Sequence, residues 1–448
     1  MEIKQFEDKN LSQYGYAILN QGEMAVIDPA RDPHPYYDFA KQNDARITAV
    51  IETHPHADFI SSHLEIHEST GAPIYVSKLL DADYNFFGFD EGNTIKIGNI
   101  LLRALNTPGH SPDSICILGV DENGKEVAVF TGDTLFIGDC GRPDLREKVG
   151  GIQAARVDLA RQMYHSLRDK LLTLPNEVWV YPAHGAGSLC GKSLSEQNRS
   201  TIGAEKISNW SLQAMSEESF VRALLENQPF IPKYFPFDVS VNKHGAPNFQ
   251  QSIAKVKIDK PINAKTLANE LEADTLIIDT RPQEFIHTSF QNSINLMGGP
   301  KFETWLGSIV NPGERFYLIA ENESVLCSLI VRAANIGYEP QIEKAFAVDF
   351  GKQEVSHFNS KELSRSHDAF TIVDVRNESE VKERKIFKNS INIPLNELRD
   401  RVNEIPLNKP IVVHCAGGYR SAAGTSIIKS RLNGKAQVFD LSEDIEKF

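Results

Sequence analysis

Four short segments of this chain place histidine or aspartate directly behind a run of β-branched and apolar residues. The run ITAVIE ends in Thr53-His54-Pro55-His56-Ala57-Asp58, ILLRALN ends in Thr107-Pro108-Gly109-His110, VAVF ends in Thr131-Gly132-Asp133, and VWVY ends in Pro182-Ala183-His184. Imidazole and carboxylate groups on loops just past strand ends can converge on one ion while the sheets hold them rigid, and a metal site needs both properties. One histidine alone more often caps a turn or fills a core. Four such groups in this order favour a shared metal centre. A fifth segment offers a different chemistry: the run IVVH leads into Cys415-Ala416-Gly417-Gly418-Tyr419-Arg420-Ser421 and then the helical pattern AAGTSIIKSRL. Consecutive backbone N–H groups of a Gly-rich turn and the positive end of the following helix both favour a thiolate, so Cys415 is expected to be a nucleophile of lowered pKa. Such a thiolate can take up a sulfane sulfur or, in a related loop geometry, attack a phosphate ester.

The elements that must position these groups follow from the pattern. In the first half, YAILN, MAVID, ITAVIETH, IYVS, ILLRALNT, SICILGV, VAVFTGD and VWVYPAHG read as strands, with helical patterns at HPYYDFAKQNDA and GIQAARVDLARQMYHSLRDKLLTL. Cys116 alternates with Ile115 and Ile117 in a strand and is expected in the core. From Pro229 to Gln251 the periodicity lapses among prolines and His244-Gly245, which predicts an exposed connector and a domain boundary. Beyond it lies an internal repeat offset by 95 residues: Asp279-Thr280-Arg281 with Asn292-Ser293-Ile294-Asn295 returns as Asp374-Val375-Arg376 with Asn389-Ser390-Ile391-Asn392. Each copy then has a second apolar strand running into a helix, as in a small parallel α/β unit. At the same offset Cys415 matches Ala320, followed by the acidic Glu321 and Glu323, so the first copy lacks the nucleophile. Cys327 is expected to pack inside its helix. Asp279 with Arg281, and Asp374 with Arg376, occur in both copies, which favours a structural tie over a catalytic role.

At 448 residues the chain has room for about three domains. Its net charge of −13 repels phosphate backbones and argues against a nucleic-acid partner. Five scattered cysteines suit a reducing cytoplasm better than a disulfide framework. The N-terminal residues form no signal-like apolar region, and no window is apolar enough to span a membrane.

Taken together, the histidine and aspartate segments resemble the metallo-β-lactamase superfamily, whose signature is HxHxDH followed by a distant His, a Gly-Asp pair and a last His. One position departs, because Phe59 stands where the sixth residue of HxHxDH should be histidine. A dinuclear hydrolase needs that histidine for its second metal, so the departure points to one metal. His54, His110 and Asp133 then remain as a two-histidine, one-carboxylate set, which on Fe(II) keeps three positions open for substrate and O2. The stretch Thr131-Gly132-Asp133-Thr134-Leu135-Phe136, with Asp139-Cys140-Gly141-Arg142-Pro143-Asp144, resembles the persulfide dioxygenases of this superfamily. That resemblance implies iron held by His54, His110 and Asp133, with His56, Asp58 and His184 close around them. The sequence from His184 to Cys190-Gly191-Lys192 resembles the branch fused to rhodanese domains, which implies that Cys190 can hold sulfur near the iron. Arg142 would receive the anionic end of a thiol carrier, or else pair with Asp139 or Asp144.

The Cys-x4-Arg-Ser loop with Asp374-Val375-Arg376 resembles rhodanese domains, in which the cysteine carries a persulfide. Cys415 and Arg420 would then do the transfer chemistry, with Gly417, Gly418 and Tyr419 lining the substrate. The implied architecture is α/β and α+β multidomain: a metallo-β-lactamase αβ/βα sandwich over residues 1–245, a degenerate rhodanese-like domain over 246–350 and an active one over 351–448. The implied cofactor is one Fe(II) per subunit, with O2 as co-substrate. The implied partners are a small persulfide (of glutathione, coenzyme A or bacillithiol, or a polysulfide) and sulfite, in a chain that assembles with copies of itself. Persulfide would be oxidised to sulfite, and sulfane sulfur passed through Cys415 to give thiosulfate, as sulfide detoxification. The rivals are a glyoxalase II-type zinc thioester hydrolase with a rhodanese module and a sulfur carrier or sensor.

Overall fold

The computed structural model describes residues 1–145, 156–261, 263–285, 290–349 and 358–448. The first residues of the helix expected from 151 and the boundary expected at 350 lie outside them. The chain divides into two compact units, residues 1–251 with 335–337 and residues 252–334 with 338–448.

The first unit is built on two six-stranded sheets. One runs Glu2–Asp8, Gln13–Asn20, Glu23–Ile27, Arg46–Ile51, Ile74–Val76 and Phe87–Gly88 in spatial order, and the other Ser200–Thr201, Trp179–Pro182, Glu126–Gly132, Ile115–Val120, Ile100–Asn106 and Thr94–Ile97. The inner strands Gln13–Asn20, Glu23–Ile27, Arg46–Ile51 and Ile115–Val120 are largely buried because both their faces are covered, while the edge strands Glu2–Asp8 and Thr94–Ile97 intersperse apolar with polar residues. Alternation sorts the side chains: Ile18, Ala25, Ile27 and Ile51 meet Leu102, Ala104, Ile117 and Phe130 of the second sheet, while Ala17, Met24, Val26 and Val50 face Tyr36 and Ile66 of the outer helices His34–Gln42 and His63–Thr70. Helices Arg156–His165 and Glu217–Leu225 cover the second sheet through Met163, Phe220 and Leu224. The result is the αβ/βα sandwich the resemblance implies. Its four histidine and aspartate loops all leave the carboxyl ends of strands.

One expectation is overturned. Residues 229–251 are not an exposed connector, since they hold the helix Phe235–His244 and the start of Phe249–Ile253, with Phe235, Val239 and Phe249 buried. Pro236 sits in the first turn, where its missing N–H leaves no hydrogen bond unmade, so it starts this helix rather than breaking it.

The second unit contains two wholly parallel sheets. In the first the order is Ile258–Asp259, Ile342–Ala347, Phe316–Ala320, Leu276–Asp279, Ser293–Asn295, and in the second Val438–Asp440, Ile411–His414, Thr371–Asp374, Ile391–Asn392. Apart from the extra edge strand the two sheets have the same order. The repeat extends to single hydrogen bonds. Arg281 grips Asp279 at 2.9 and 2.7 Å, and Arg376 grips Asp374 at 3.0 and 2.6 Å. The Asn295 amide donates to the carbonyls of Asp279 and Arg281, and Asn392 does the same for Asp374 and Arg376. Cys327 departs from expectation: helix Glu323–Asn335 buries Leu326, Leu329, Ile330 and Ala333 on its 3.6-residue stripe and leaves Cys327 exposed. Among the described residues no helix is long and apolar enough to cross a membrane.

Candidate functional site

His54, His110 and Asp133 come together in the buried first unit, each less than 5% exposed. Both Nε2 atoms point at Asp133 Oδ2, at 3.7 Å from His54 and 3.6 Å from His110, and the two rings stand nearly perpendicular, 79° apart. These separations are too long for hydrogen bonds. They suit three ligands about 2.0–2.2 Å from one shared ion. Asp133 Oδ2 is buried and accepts no hydrogen bond from the described residues, as an atom reserved for a cation would be. The residues therefore fit a metal. The Thr53 hydroxyl orients His54: it donates to Asp28 Oδ2 at 2.8 Å and so accepts from His54 Nδ1–H at 3.0 Å, which leaves Nε2 as the lone-pair nitrogen. Gly132 makes room for that hydroxyl, because its φ of +50° is left-handed and a Cβ there would stand 2.5 Å from Thr53 Oγ1. Burial above all, with His56 beside it, holds His54 well below the usual histidine value, so it is neutral and ready to ligate. Burial alone would push Asp133 up, but His184, His54 and His110 hold it well below the carboxylate range.

His184 bridges two carboxylates, with Nδ1 at 2.8 Å from Asp133 Oδ1 and Nε2 at 2.9 Å from Asp58 Oδ2. Burial opposes its charge, yet Asp133 and Asp58 hold its pKa well above the ordinary value. His56 has its ring centroid 4.2 Å from that of His54, places Nε2 3.2 Å from Asp28 Oδ1 and 3.9 Å from Glu52 Oε2, and has a ring nitrogen within 4.8 Å of ligand atoms of Asp58 and His184. Phe59 lies over the His56 ring, with centroids 4.3 Å apart, and is buried. Burial and then Asp28 push Glu52 well above the carboxylate range, while burial pushes the neighbouring His63 down to about 3. Asp28, Glu52, Thr53 and His63 were not among the residues expected at the site. Their signal is slight: Asp28 closes a strand in an ordinary Ile-Asp-Pro turn, with a left-handed φ of 48°.

In the second unit, Cys415 follows the strand Ile411–His414 and is buried. Its Sγ accepts the N–H of Gly418 at 3.1 Å, and Gly418 reaches this curl with φ +95° before helix Tyr419–Leu432 begins. Gly417 is exposed, with open space where a side chain would go. Arg420 forms a two-pronged pair with Glu380 at 2.6 and 2.7 Å, within electrostatic reach of Cys415. The Tyr419 hydroxyl donates to the Met297 carbonyl at 2.9 Å. Its polar atom is thus engaged by the protein.

Residues 10–184 match the family model described as the metallo-β-lactamase superfamily, and residues 359–448 match the rhodanese-like domain. A hydroxyacylglutathione hydrolase of Francisella philomiragia is 32% identical over 41% of this chain and 68% of its own length. A crystal structure described as a metallo-β-lactamase from Staphylococcus aureus has 31% identity and a TM-score of 0.67, over 78% of this chain and 98% of its own. The chain belongs to the metallo-β-lactamase superfamily. It carries a rhodanese-like domain at its C-terminal end. The mitochondrial persulfide dioxygenase ETHE1 of Mus musculus is a homologue of the metallo-β-lactamase part, 28% identical over 43% of this chain and 71% of its own length.

Within the metallo-β-lactamase domain, Cys190 joins the site from the loop after His184. Its sulfur lies within 4.8 Å of ligand atoms of Asp133 and His184. Burial, and then the Asp58 and Asp133 carboxylates, push its thiol well above the ordinary value. Arg142 forms the ion pair with Asp144 that was one of the two expectations. It is buried and pairs with Asp144 through two 2.7 Å hydrogen bonds, and it donates to the Leu189 carbonyl at 3.2 Å. Its backbone N–H holds the Cys190 carbonyl at 3.0 Å. So engaged, the guanidinium fixes the Cys190 loop. Asp139 completes the clamp by accepting the N–H groups of Cys140, Lys192 and Ser193 and the Trp210 indole.

Proposed function

We propose that this protein is a non-haem iron persulfide dioxygenase joined to a rhodanese-type sulfurtransferase. The observation that carries the reading is the buried set of His54, His110 and Asp133, with Phe59 against His56 where a second metal would need a histidine. The homologous persulfide dioxygenases and the rhodanese-like domain support it from a second direction. In the first reaction RSSH, O2 and water give RSH, sulfite and two protons, the sulfane sulfur losing the four electrons that O2 gains. Bound by the three ligands, Fe(II) would supply the redox chemistry with O2 and leave positions open for the persulfide. The chain's own residues do the rest. Thr53 and Asp28 hold His54 in its ligating tautomer, and His184 between Asp133 and Asp58 keeps Asp133 oriented. Cys190, its thiol neutral, lies beside Asp133 and His184, where it would meet the sulfur of a persulfide held at the metal.

In the second reaction the Cys415 thiolate attacks RSSH, releasing RSH and forming Cys–S–S⁻. Sulfite then attacks the outer sulfur, releasing the Cys415 thiolate and thiosulfate. Gly418 N–H and Arg420 face the charge that moves between these species. The test is metal analysis of anaerobically purified protein, followed by oxygen uptake with persulfides of glutathione, coenzyme A and bacillithiol. One iron per chain with persulfide-dependent oxygen uptake is expected. Two zinc ions with full activity would overturn the oxygenase reading. The hydroxyacylglutathione hydrolase relative favours a second reading, zinc-dependent thioester hydrolysis. Hydrolysis of acylglutathione without oxygen, at the rate seen in air, would establish it.

A further inference from the structure

The degenerate copy in the second unit has Ala320 at the position equivalent to Cys415, yet it touches the loop that carries that cysteine. Its segment from Met297 to Trp305 packs against the Cys415 loop at three points. The Met297 carbonyl accepts the Tyr419 hydroxyl at 2.9 Å. A Cβ at Gly299 would stand 3.1 Å from Tyr419 Cε2, so the approach of backbone to ring is close. The Arg420 guanidinium carbon lies 6.0 Å from the centre of the Trp305 ring, in cation–π range. The segment is itself held firmly: Arg332 donates to the Gly298 and Gly299 carbonyls at 3.2 and 2.8 Å and pairs with Glu303, which is fully buried.

The position of these contacts matters more than their number. Tyr419 stands between Gly418, whose N–H is aimed at Cys415 Sγ, and Arg420, whose charge Glu380 holds near the same sulfur. A tether on the residue between them fixes both groups at once. Loss of the Tyr419–Met297 hydrogen bond would release the restraint on the backbone that carries the Gly418 N–H and the Arg420 guanidinium.

We propose that the degenerate copy is a working wall of the sulfur-transfer site, in which Met297 and Gly299 position the Cys415 loop through Tyr419 and Trp305 positions Arg420 to receive an oxyanion acceptor. The inference rests on the reading of Cys415 as the transfer nucleophile. Met297, Gly299 and Trp305 are positioning residues and take no part in bond making.

The test uses the full chain without oxygen, which silences the iron chemistry, with glutathione persulfide as donor and sulfite as acceptor, and reads thiosulfate. Tyr419→Phe removes one oxygen atom and the tether with it, and kcat is expected to fall about fivefold, the equivalent of one hydrogen bond. Gly299→Ala should lower kcat in the same way from the other copy. Trp305→Ala should raise KM for sulfite several-fold with little change in kcat, and Trp305→Phe should restore it, a split that mere loss of stability does not produce. Parental kcat in Tyr419→Phe together with parental KM in Trp305→Ala would overturn the proposal. Should Gly299→Ala fail to fold, Tyr419→Phe still decides. Transfer that survives Cys415→Ser would instead overturn the reading on which the proposal stands.

Discussion

Replacing Thr53 by valine tests the metal site without touching a ligand. Valine keeps the shape of threonine, so the strand end and the close approach of Gly132 are preserved, while one hydroxyl disappears. That hydroxyl makes two hydrogen bonds, 2.8 Å to Asp28 Oδ2 and 3.0 Å from His54 Nδ1, in a region less than 5% exposed. A buried polar group left without its partner costs about 1–3 kcal/mol. Asp28 keeps the Thr53 backbone N–H at 2.7 Å, so its loss lies at the lower end of that range, and the larger effect falls on the tautomer of His54. Outer hydrogen-bond partners of metal-bound histidines are typically worth about 10- to 100-fold in metal affinity, or about 1.4–2.8 kcal/mol, in agreement with that range. The assay is anaerobic titration of the metal-free variant with Fe(II) against a chelator of known affinity, read beside thermal melting. The expected result is affinity weakened about 10- to 100-fold, with a melting midpoint lower by a few degrees. Thr53→Ser should recover most of the affinity. A valine variant that holds Fe(II) within twofold of the parent would refute the orienting role of Thr53 and, with it, the tautomer assigned to His54.

Three further outcomes are expected. His110→Ala removes one of three donors, and the protein should lose both iron on dialysis against a chelator and oxygen uptake with persulfide. Cys415→Ser replaces the thiol with a hydroxyl, a far weaker nucleophile toward sulfur. Oxygen uptake should continue while sulfite accumulates in place of thiosulfate, and thiosulfate formed at the parental rate, after subtraction of the uncatalysed reaction, would disprove transfer through Cys415. Arg142→Ala leaves Asp144 and the Leu189 carbonyl without their donor in a nearly dry site and should destabilise the metallo-β-lactamase domain by about 3–5 kcal/mol in thermal or denaturant melts. The same variant should let Cys190 react faster with an alkylating reagent, followed by mass spectrometry.

What was legible in the sequence was set by local chemistry. His54, His110, Asp133 and His184 stood out because each interrupts an apolar run at the point where a strand must end, and the fold then carries all four to one end of the sandwich. The repeat was legible for a similar reason, since Asp279, Arg281 and Asn295 recur as Asp374, Arg376 and Asn392 with the same hydrogen bonds. The groups that were missed depend on contacts remote in sequence or on solvation. Asp28 reaches His54 only through Thr53, 25 residues away. Tyr419 finds Met297 across 122 residues, a pairing no spacing rule announces. Prolines around residue 236 suggested a connector because a breaker and a helix start look alike until burial distinguishes them. For Arg142 the sequence left two roles open, and proximity explains the ion pair: a carboxylate two residues on, at Asp144, is the nearest anion that the turn can present to the guanidinium.

The two copies in the second unit also separate structure from chemistry by internal comparison. The Asp-Arg-Asn clamp is complete in the copy whose nucleophile position is Ala320, so the clamp holds strand to loop whether or not a thiol follows. What differs lies in the turn after the next strand, where Cys415-Ala416-Gly417-Gly418 curls a backbone N–H onto sulfur and Ala320-Glu321-Asn322 passes directly into helix Glu323–Asn335. Glycine is needed at Gly418 because that curl requires φ of +95°, a conformation that side-chain-bearing residues rarely adopt. Restoring a cysteine at Ala320 alone would therefore give a thiol without the N–H groups that stabilise its charge, beside the acidic Glu321 and Glu323. On the proposed reading, sulfur transfer would require the loop as a unit, and one strand-end residue would not confer it.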